Sequence, residues 1–203
     1  MKVIKVPSWF QFLFSSLIWR FKTKQKVIYL TFDDGPTEEL TTWILAELKK
    51  FDANATFFCI GKNIETYTDN FKSISTNGHQ IGNHTFNHLS GWDSSTNTYI
   101  KDVERCQKLT QTKLFRPPYG RISLTQKQQL KKDFKIIMWD INCWDFDEKM
   151  NGQETFVKLT NKITKGSIVL LHDNLKSEKK LRFLLPKILS HFSQKGYSFK
   201  AIH

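Results

Sequence analysis

The chain of 203 residues has the length of one domain, and its 39% hydrophobic content, which includes 17 phenylalanines, excludes an intrinsically disordered protein. The 31 basic residues outnumber the 19 acidic ones, so the formal net charge of +12 attracts anions such as nucleic acid, acidic lipid or an acidic polymer. The lysines are scattered in short groups and no nucleic-acid-binding motif is present, so we expect a lysine-rich soluble surface and no nucleic-acid partner.

The first 25 residues are predicted to form a segment distinct from a domain over 26–203. They contain an aromatic, apolar run over residues 7–19, preceded by Lys2 and Lys5. This run is too short to span a bilayer, which takes about 20 apolar residues, and no small-residue cleavage pattern follows it. The segment could be a strap packed on the domain, an anchor at a membrane interface or an uncleaved signal, and we favour the strap.

The same segment is relevant to where the protein is located in the cell and to whether it contacts a membrane. Its mixture of aromatic and basic residues suits a membrane interface, so peripheral membrane contact through residues 7–19 stays open. Because no cleavable signal is recognised, we expect a cytoplasmic or peripherally membrane-associated protein, with the cell envelope as the alternative. We expect the protein to be a monomer.

Short apolar runs alternate with helical patterns along the rest of the chain. The predicted strands cover residues 27–32, 55–60, 79–83, 113–116, 134–141, 167–171 and 197–202. The predicted helices cover residues 37–51, 63–76, 96–110, 124–132, 153–164 and 178–194. Such alternation indicates a parallel sheet, built either as a barrel or as a doubly wound sheet. No linker rich in proline, glycine or serine interrupts it, so we predict one domain.

Ionisable groups follow the carboxyl ends of five predicted strands, where both architectures place their functional sites. These groups are Asp33, Asp34, His84, His88, Arg116, Asp145 and His172. Because the five strand ends meet at one edge of the sheet, their side chains are expected to converge. The sequence therefore indicates an enzyme.

A metal site is one interpretation of the first four groups. His84 and His88, four residues apart, would share a face if this stretch were helical, and could then bind one metal ion with a carboxylate as a further ligand. Asp33 and Asp34 could supply it, because adjacent residues at a strand end point in different directions. One carboxylate could then bind metal while the other faces substrate. The alternatives are ordinary surface or core histidines and an ordinary Asp-Gly-Pro turn.

The other groups also have two interpretations each. Arg116 could clamp a carboxylate or a ligand anion, or form a structural salt bridge, and the two prolines after it suit a loop that presents a main-chain N–H. His172 closes an apolar strand and could be a catalytic histidine that Asp145 orients and charges. The alternative is a hydrogen-bonded histidine at the edge of the core.

In these segments the chain resembles the polysaccharide deacetylases of carbohydrate esterase family 4. The shared motifs are TFDDG at 31–35, HTFNH at 84–88, RPPY at 116–119, DF at 145–146 and LLH at 170–172. They occur in the family's order across residues 26–202, and five ordered motifs are far more specific than any one. The resemblance implies an α/β fold, a distorted (β/α) barrel of about seven parallel strands.

The resemblance also implies roles for the site residues. Asp34, His84 and His88 would bind one divalent metal ion, usually zinc, with cobalt or nickel as alternatives. Asp33 would be the general base, Arg116 would hold it, and His172, tuned by Asp145, would be the general acid. The main-chain N–H of Tyr119 would help to bind the oxyanion. Leu170 and Phe146 would form the pocket for the acetyl methyl group, with Trp144 beside them.

The implied activity is metal-dependent hydrolysis of N-acetyl groups on N-acetylglucosamine-containing glycans, with release of acetate. The expected partner is thus an acetylated oligo- or polysaccharide. Phe146 stands where the family usually has tryptophan, and Trp144 precedes the aspartate instead, which leaves substrate preference open. The alternatives are an esterase that removes O-acetyl groups from xylan, and a basic glycan- or nucleic-acid-binding protein without turnover.

Overall fold

The computed structural model describes residues 4–203, so Lys2 and the start of the predicted strap lie outside the described residues. The described chain forms the strands β1 (Val27–Asp33), β2 (Thr56–Cys59), β3 (Gln80–Asn83), β4 (Leu114–Phe115), β5 (Lys135–Ile136), β6 (Ile141–Asn142), β7 (Ile168–His172) and β8 (Ser198–Phe199). Its helices are α1 (Ser8–Leu13), α2 (Leu40–Lys49), α3 (Gly61–Thr66), α4 (Thr68–Thr76), α5 (Thr96–Thr110), α6 (Leu124–Leu130), α7 (Gly152–Thr160) and α8 (Glu178–Gln194). None of the helices within residues 4–203 combines the length and apolarity needed to cross a membrane.

The strands form a curled parallel sheet in the order β5-β4-β3-β2-β1-β7-β6, and β8 pairs in parallel with the start of β1. Seven strands thus make a curled half-barrel. It confirms the parallel sheet predicted from the alternation and the distorted barrel of about seven strands that the resemblance implies. β1 and β7 lie side by side in this sheet, with Asp33 in register with His172. Two of the predicted site residues are therefore brought to the same level of the sheet by strand pairing alone.

Helices cover the sheet and bury its apolar face. On α2, Leu40, Ile44 and Leu48 recur at four-residue steps, all at most 1% exposed, and so form one apolar stripe. The apolar face of α8 joins them in the same core cluster as the side chains of β1 and β7. This packing fixes β1 and β7 and, with them, the residues at their carboxyl ends.

The N-terminal segment lies along the gap between β5 and β6, the two edges of the seven-stranded path. Lys5 pairs with Ile141, and Ile18 pairs with Ile137, so the segment adds backbone partners to both edges. Buried side chains of Ile4, Leu17 and Trp19 attach it to the domain. The edges that an open half-barrel would leave unpaired are thereby covered.

Three predicted elements differ from the structure. The single strand predicted over 134–141 is wrong: β5 and β6 are separate, because the main chain between them pairs with the N-terminal segment, where Met138 N–H donates to Ile18 O at 2.7 Å. The single helix predicted over 63–76 is also wrong, since Tyr67 leaves helical geometry with φ −118° and ψ 55° and separates α3 from α4. The last strand is shorter than predicted and covers only β8.

Candidate active site

Two adjacent carboxylates at the end of β1 face different partners. Asp33 keeps strand geometry and accepts a hydrogen bond from Arg116 Nη1 at 2.6 Å. Asp34 has a left-handed φ of 78°, and its Oδ1 lies 3.1 Å from His88 Nε2. The two carboxylates diverge as predicted, but the left-handed turn at Asp34 sets the direction of the second one, not strand alternation.

Arg116 is fully buried and fixes the position of the Asp33 carboxylate. Its Nη1 also donates to Thr31 Oγ1 at 2.8 Å, and its Nε and Nη2 donate to the carbonyls of Ile137 and Met138. A planar guanidinium held at four points has little freedom to rotate. The Asp33 carboxylate is therefore held through Oδ1 by a fixed cation.

The HTFNH segment is a loop, so the helix considered for it is wrong. Thr85 and His88 have left-handed φ values of 62° and 59°, which a helix does not allow. Asp102 of α5 holds the loop instead: its Oδ2 accepts from Phe86 N–H at 2.8 Å and from Asn87 N–H at 2.9 Å. The two histidines meet through this loop geometry rather than through helical spacing.

The ligand atoms of Asp34, His84 and His88 all lie within 4.8 Å of one another. His84 Nδ1 lies 2.8 Å from Arg116 O, and because a carbonyl only accepts, Nδ1 carries the proton and Nε2 keeps its lone pair. That Nε2 faces Asp34 Oδ1 at 3.5 Å. Two imidazoles and one carboxylate are a donor set that suits zinc and leaves room for a further ligand.

Electrostatics and an outer hydrogen bond support the same use of Asp34. Burial would raise the pKa of its carboxyl, but the neighbouring imidazoles of His84 and His88 outweigh burial and hold the pKa well below its usual range. Asn174 Nδ2 donates to Asp34 Oδ2 at 2.7 Å and so leaves Oδ1 turned toward the histidines. A permanently ionised, oriented carboxylate is what a cation site requires.

His172, at the end of β7, forms a close pair with Asp145. Its Nδ1 lies 2.8 Å from Asp145 Oδ1, and Asp145 Oδ2 accepts from the His172 main-chain N–H at 2.7 Å. Burial disfavours a charged imidazole, but the carboxylate of Asp145, helped by Asp34 and Asp33, outweighs burial and raises the pKa of His172 to about 9. The His172 side chain is therefore the positively charged imidazolium at neutral pH.

A cavity of about 1290 Å³ opens over these groups. The residues predicted to bind the acetyl group, Leu170, Phe146 and Trp144, all line it. The Phe146 ring meets His172 edge-on, with ring centroids 5.0 Å apart. Tyr119 also lines it, with its ring centroid 4.7 Å from that of His88. All the predicted site residues thus come together around one cleft or directly behind it.

Backbone strain is concentrated in the loops of this site. Left-handed φ values occur at the non-glycine residues Asp34, Thr85, His88, Tyr119 and Trp144. Each such residue costs about 1–3 kcal/mol, and such costs persist where surrounding structure enforces them, often at functional sites. The loops after the strands therefore hold these side chains in positions that unstrained backbone conformations would not allow.

Three residues that support the site were not predicted from the sequence. Asp102 could have been found, because it interrupts the buried apolar face of α5 between Tyr99 and Val103. Asn174 gave no signal of this kind. Asp173, fully buried beside Asp33, accepts from the Thr37 hydroxyl at 2.7 Å, and burial raises its pKa to about 6.

The family model described as polysaccharide deacetylase matches residues 20–134. The chain belongs to this family. A peptidoglycan-N-acetylglucosamine deacetylase of Bacillus cereus is 33% identical over 191 residues, which cover 91% of this chain and 90% of that protein. The peptidoglycan-N-acetylmuramic acid deacetylase PdaC of Bacillus subtilis is 32% identical over 155 residues, which cover 73% of this chain and 32% of that longer protein.

Solved structures agree with the sequence relatives. The crystal structure of the Bc1960 peptidoglycan N-acetylglucosamine deacetylase, in complex with an aryl hydroxamate, superposes with a TM-score of 0.85 at 27% identity and covers 97% of this chain and 95% of that one. The predicted family and fold are therefore confirmed. The chain is a polysaccharide deacetylase, a hydrolase of the class that removes N-acetyl groups from glycans.

Proposed function

We propose that this protein removes the acetyl group from N-acetylglucosamine residues of peptidoglycan in a zinc-dependent hydrolysis that releases acetate. The names of the Bacillus cereus relatives support the sugar and the polymer. The observation that carries the amide chemistry is the His172 pair with Asp145, which keeps a proton available where an amine must leave.

Asp34, His84 and His88 would hold the zinc ion, since their donor atoms converge and their outer partners fix the correct tautomer and orientation. When bound, such an ion supplies a Lewis acid that makes water acidic enough to lose a proton near neutral pH. Cobalt and nickel suit the same donor set.

Asp33 would take the proton from the attacking water. Its Oδ1 is held by Arg116, so Oδ2, which lies 3.8 Å from His84 Nε2, is the oxygen nearer the metal ligands. A base fixed in this way need not reorient during the reaction. General bases of this kind typically contribute a factor of about 10² to 10⁴.

His172 would donate a proton to the nitrogen of the leaving amine. An amide needs this step, because an unprotonated amine is a very poor leaving group, whereas an alcohol leaving from an ester needs it less. The hydrogen bond from Nδ1 to Asp145 leaves Nε2 as the nitrogen available to the substrate. The main-chain N–H of Tyr119 would stabilise the negative charge on the carbonyl oxygen, a contribution of typically about 3–4 kcal/mol.

Leu170, Phe146 and Trp144 would accept the acetyl methyl group, as apolar residues on the wall of the cleft next to His172. Tyr119 and Trp92 are exposed near the cleft, 62% and 67% respectively, and Arg121 lies over both rings. Exposed aromatic rings offer flat apolar faces to sugar rings. We expect a glycan chain of several sugars to bind better than a single sugar.

The test is acetate release from a panel of acetylated glycans by the zinc-loaded protein, with Asp33→Asn as the matched inactive control. We expect peptidoglycan fragments that contain N-acetylglucosamine to be the fastest substrates. Faster release from acetylated xylan would make the protein an O-acetyl esterase. Binding of glycan with no acetate release from any member of the panel would contradict the proposal altogether.

A further inference from the structure

The short helix α1 presents apolar side chains on two opposite faces. Phe10 and Phe14 face the domain, with ring centroids 4.8 Å apart, and Phe10 also packs against Trp19. Trp9, Phe12 and Leu13 on the other face are exposed by 69%, 82% and 67%. Three large apolar side chains within five residues make an exposed patch of the kind that marks an interaction site. We call this patch the outward face of α1.

The sequence before and after α1 is basic and lacks acidic residues. No aspartate or glutamate stands between residues 4 and 32, whereas Lys5, Arg20, Lys22, Lys24 and Lys26 do. The neighbouring α6 belongs to a second such stretch, since no acidic residue stands between residues 105 and 132.

α6 brings its charge close to α1. Lys127 Nζ lies 3.3 Å from Ser16 Oγ, just beyond the end of α1, and Leu130 of α6 packs in the same apolar cluster as Phe10 and Phe14. Lys131 and Lys132 follow at the end of this helix and are exposed. The segment that packs beside α1 therefore carries three lysines.

We propose that the outward face of α1 docks on an anionic lipid bilayer. Trp9, Phe12 and Leu13 insert among the lipids, and the lysines of α6 and its C-terminal end lie at the headgroups. Aromatic and aliphatic side chains beside lysines are the composition that binds such interfaces. An anionic bilayer offers an apolar phase for the exposed apolar side chains and negative charge for the lysines. A soluble acidic polymer would match the charge alone, and a second copy would bring two cationic surfaces together.

The docking surface adjoins the cleft. Val6, Pro7 and Phe10, which precede or belong to α1, line the same cavity as Tyr119 and His172. A bilayer held by the outward face would therefore lie beside the opening of the cleft and place glycans near the membrane surface within reach. This proposal does not depend on the proposed function, because vesicle binding is measured without turnover.

The first experiment is sedimentation of the full chain with phosphatidylcholine vesicles that contain or lack phosphatidylglycerol. The wild-type protein should bind the anionic vesicles more tightly, and added salt should weaken binding. The triple variant Trp9→Ser, Phe12→Ser and Leu13→Ser should lower the partition coefficient about 100-fold. Val157→Ser, at a 48% exposed position on α7, is the control and should bind as the wild type does. Equal binding by the triple variant and the wild type would overturn the proposal.

A charge-matched pair tests the electrostatic part. Replacement of Lys127, Lys131 and Lys132 by glutamine should weaken binding to anionic vesicles more than replacement of Lys49, Lys158 and Lys179, which are exposed on α2, α7 and α8. Both variants lose three charges, so only position differs between them. Equal losses would show that net charge alone drives adsorption and would contradict docking through this surface.

Insertion is measured by lipids brominated in their acyl chains, which quench nearby tryptophan fluorescence. The wild type should be quenched, and Trp9→Phe, which preserves an aromatic ring and the fold, should lose most of that quenching. Absence of quenching, with binding to a soluble polyanion that the triple variant retains, would show that the lysines bind an acidic polymer and that the outward face does not insert into lipid. Self-association that the triple variant abolishes, without vesicle binding, would assign it to a second copy.

Discussion

Asp33 and Asp34 are neighbours in sequence with the same side chain, but the fold gives them different surroundings. The Asp33 side chain is 5% exposed and touches a guanidinium that is itself fully buried. The Asp34 side chain is 18% exposed and lies between two imidazoles and the amide of Asn174. One carboxylate is thus tied to a fixed cation within the protein, and the other faces a place where a mobile cation can bind.

The difference arises from the backbone and from the strands on either side. Asp33 is the last residue of β1, and the loop after β4 brings Arg116 to it. Asp34 is the first residue beyond the sheet, where a left-handed φ turns its side chain toward the loop after β3. Identical residues therefore acquire a candidate base role and a candidate ligand role through one change of backbone direction.

Of the changes that test the different roles of Asp33 and Asp34, removal of the metal should have the largest effect on activity. A chelator should reduce acetate release to background, because Asp34, His84 and His88 then hold no cation, and zinc or cobalt should restore it. The measurement is acetate release beside metal content on the same samples. Full activity in metal-free protein would contradict the assignment of Asp34 as a metal ligand and of Asp33 as the base beside the metal.

Loss of the buried cation should mainly affect stability. Arg116→Gln leaves the Asp33 carboxylate buried without its charged partner, so the free energy of unfolding should fall by about 3–5 kcal/mol. Arg121→Gln is the control: Arg121 is 47% exposed and 3.6 Å from Asp93, and such an exposed pair contributes about 1 kcal/mol or less. Denaturant unfolding of both variants would measure this, and equal losses would show that Arg116 is not special.

A smaller effect is expected on the acid side of the cleft. An acid must be protonated to act, so the rate should fall as pH rises through the pKa of His172, about 9. Asp145→Asn removes the negative charge that favours the imidazolium, which lowers this pKa and moves the alkaline limb of the pH–rate profile to lower pH. The profile of kcat against pH in both proteins checks this. An unmoved limb would separate Asp145 from the protonation of His172.

The sequence was informative about site residues that stand at the carboxyl ends of parallel strands. The parallel sheet and the convergence of Asp33, Arg116 and His172 both follow from the direction of the strands. These properties are set locally, by side-chain alternation and by strand pairing. The motif order then identified the family.

The sequence was less informative where distant contacts override local pattern. The spacing of His84 and His88 in HTFNH is compatible with a helix. The segment is a loop because Asp102, on the later helix α5, accepts hydrogen bonds from its main chain, and the HTFNH sequence itself does not indicate this contact. Residues 134–141 are apolar enough for one strand, but the N-terminal segment pairs with their centre and divides them. Both errors come from hydrogen bonds between parts of the chain that are far apart in sequence.

The most direct test of the central claim is a matched pair of substitutions, Asp33→Asn and Asp34→Asn, measured for zinc content and for acetate release. Both keep the side-chain shape and remove one charge, so only the position differs. The account predicts that Asp33→Asn keeps one zinc ion per chain and loses a factor of about 10² to 10⁴ in kcat. Asp34→Asn should lose zinc, and excess zinc should restore part of its activity. If Asp33→Asn lost zinc while Asp34→Asn kept it, the two roles would be reversed and the account would be wrong.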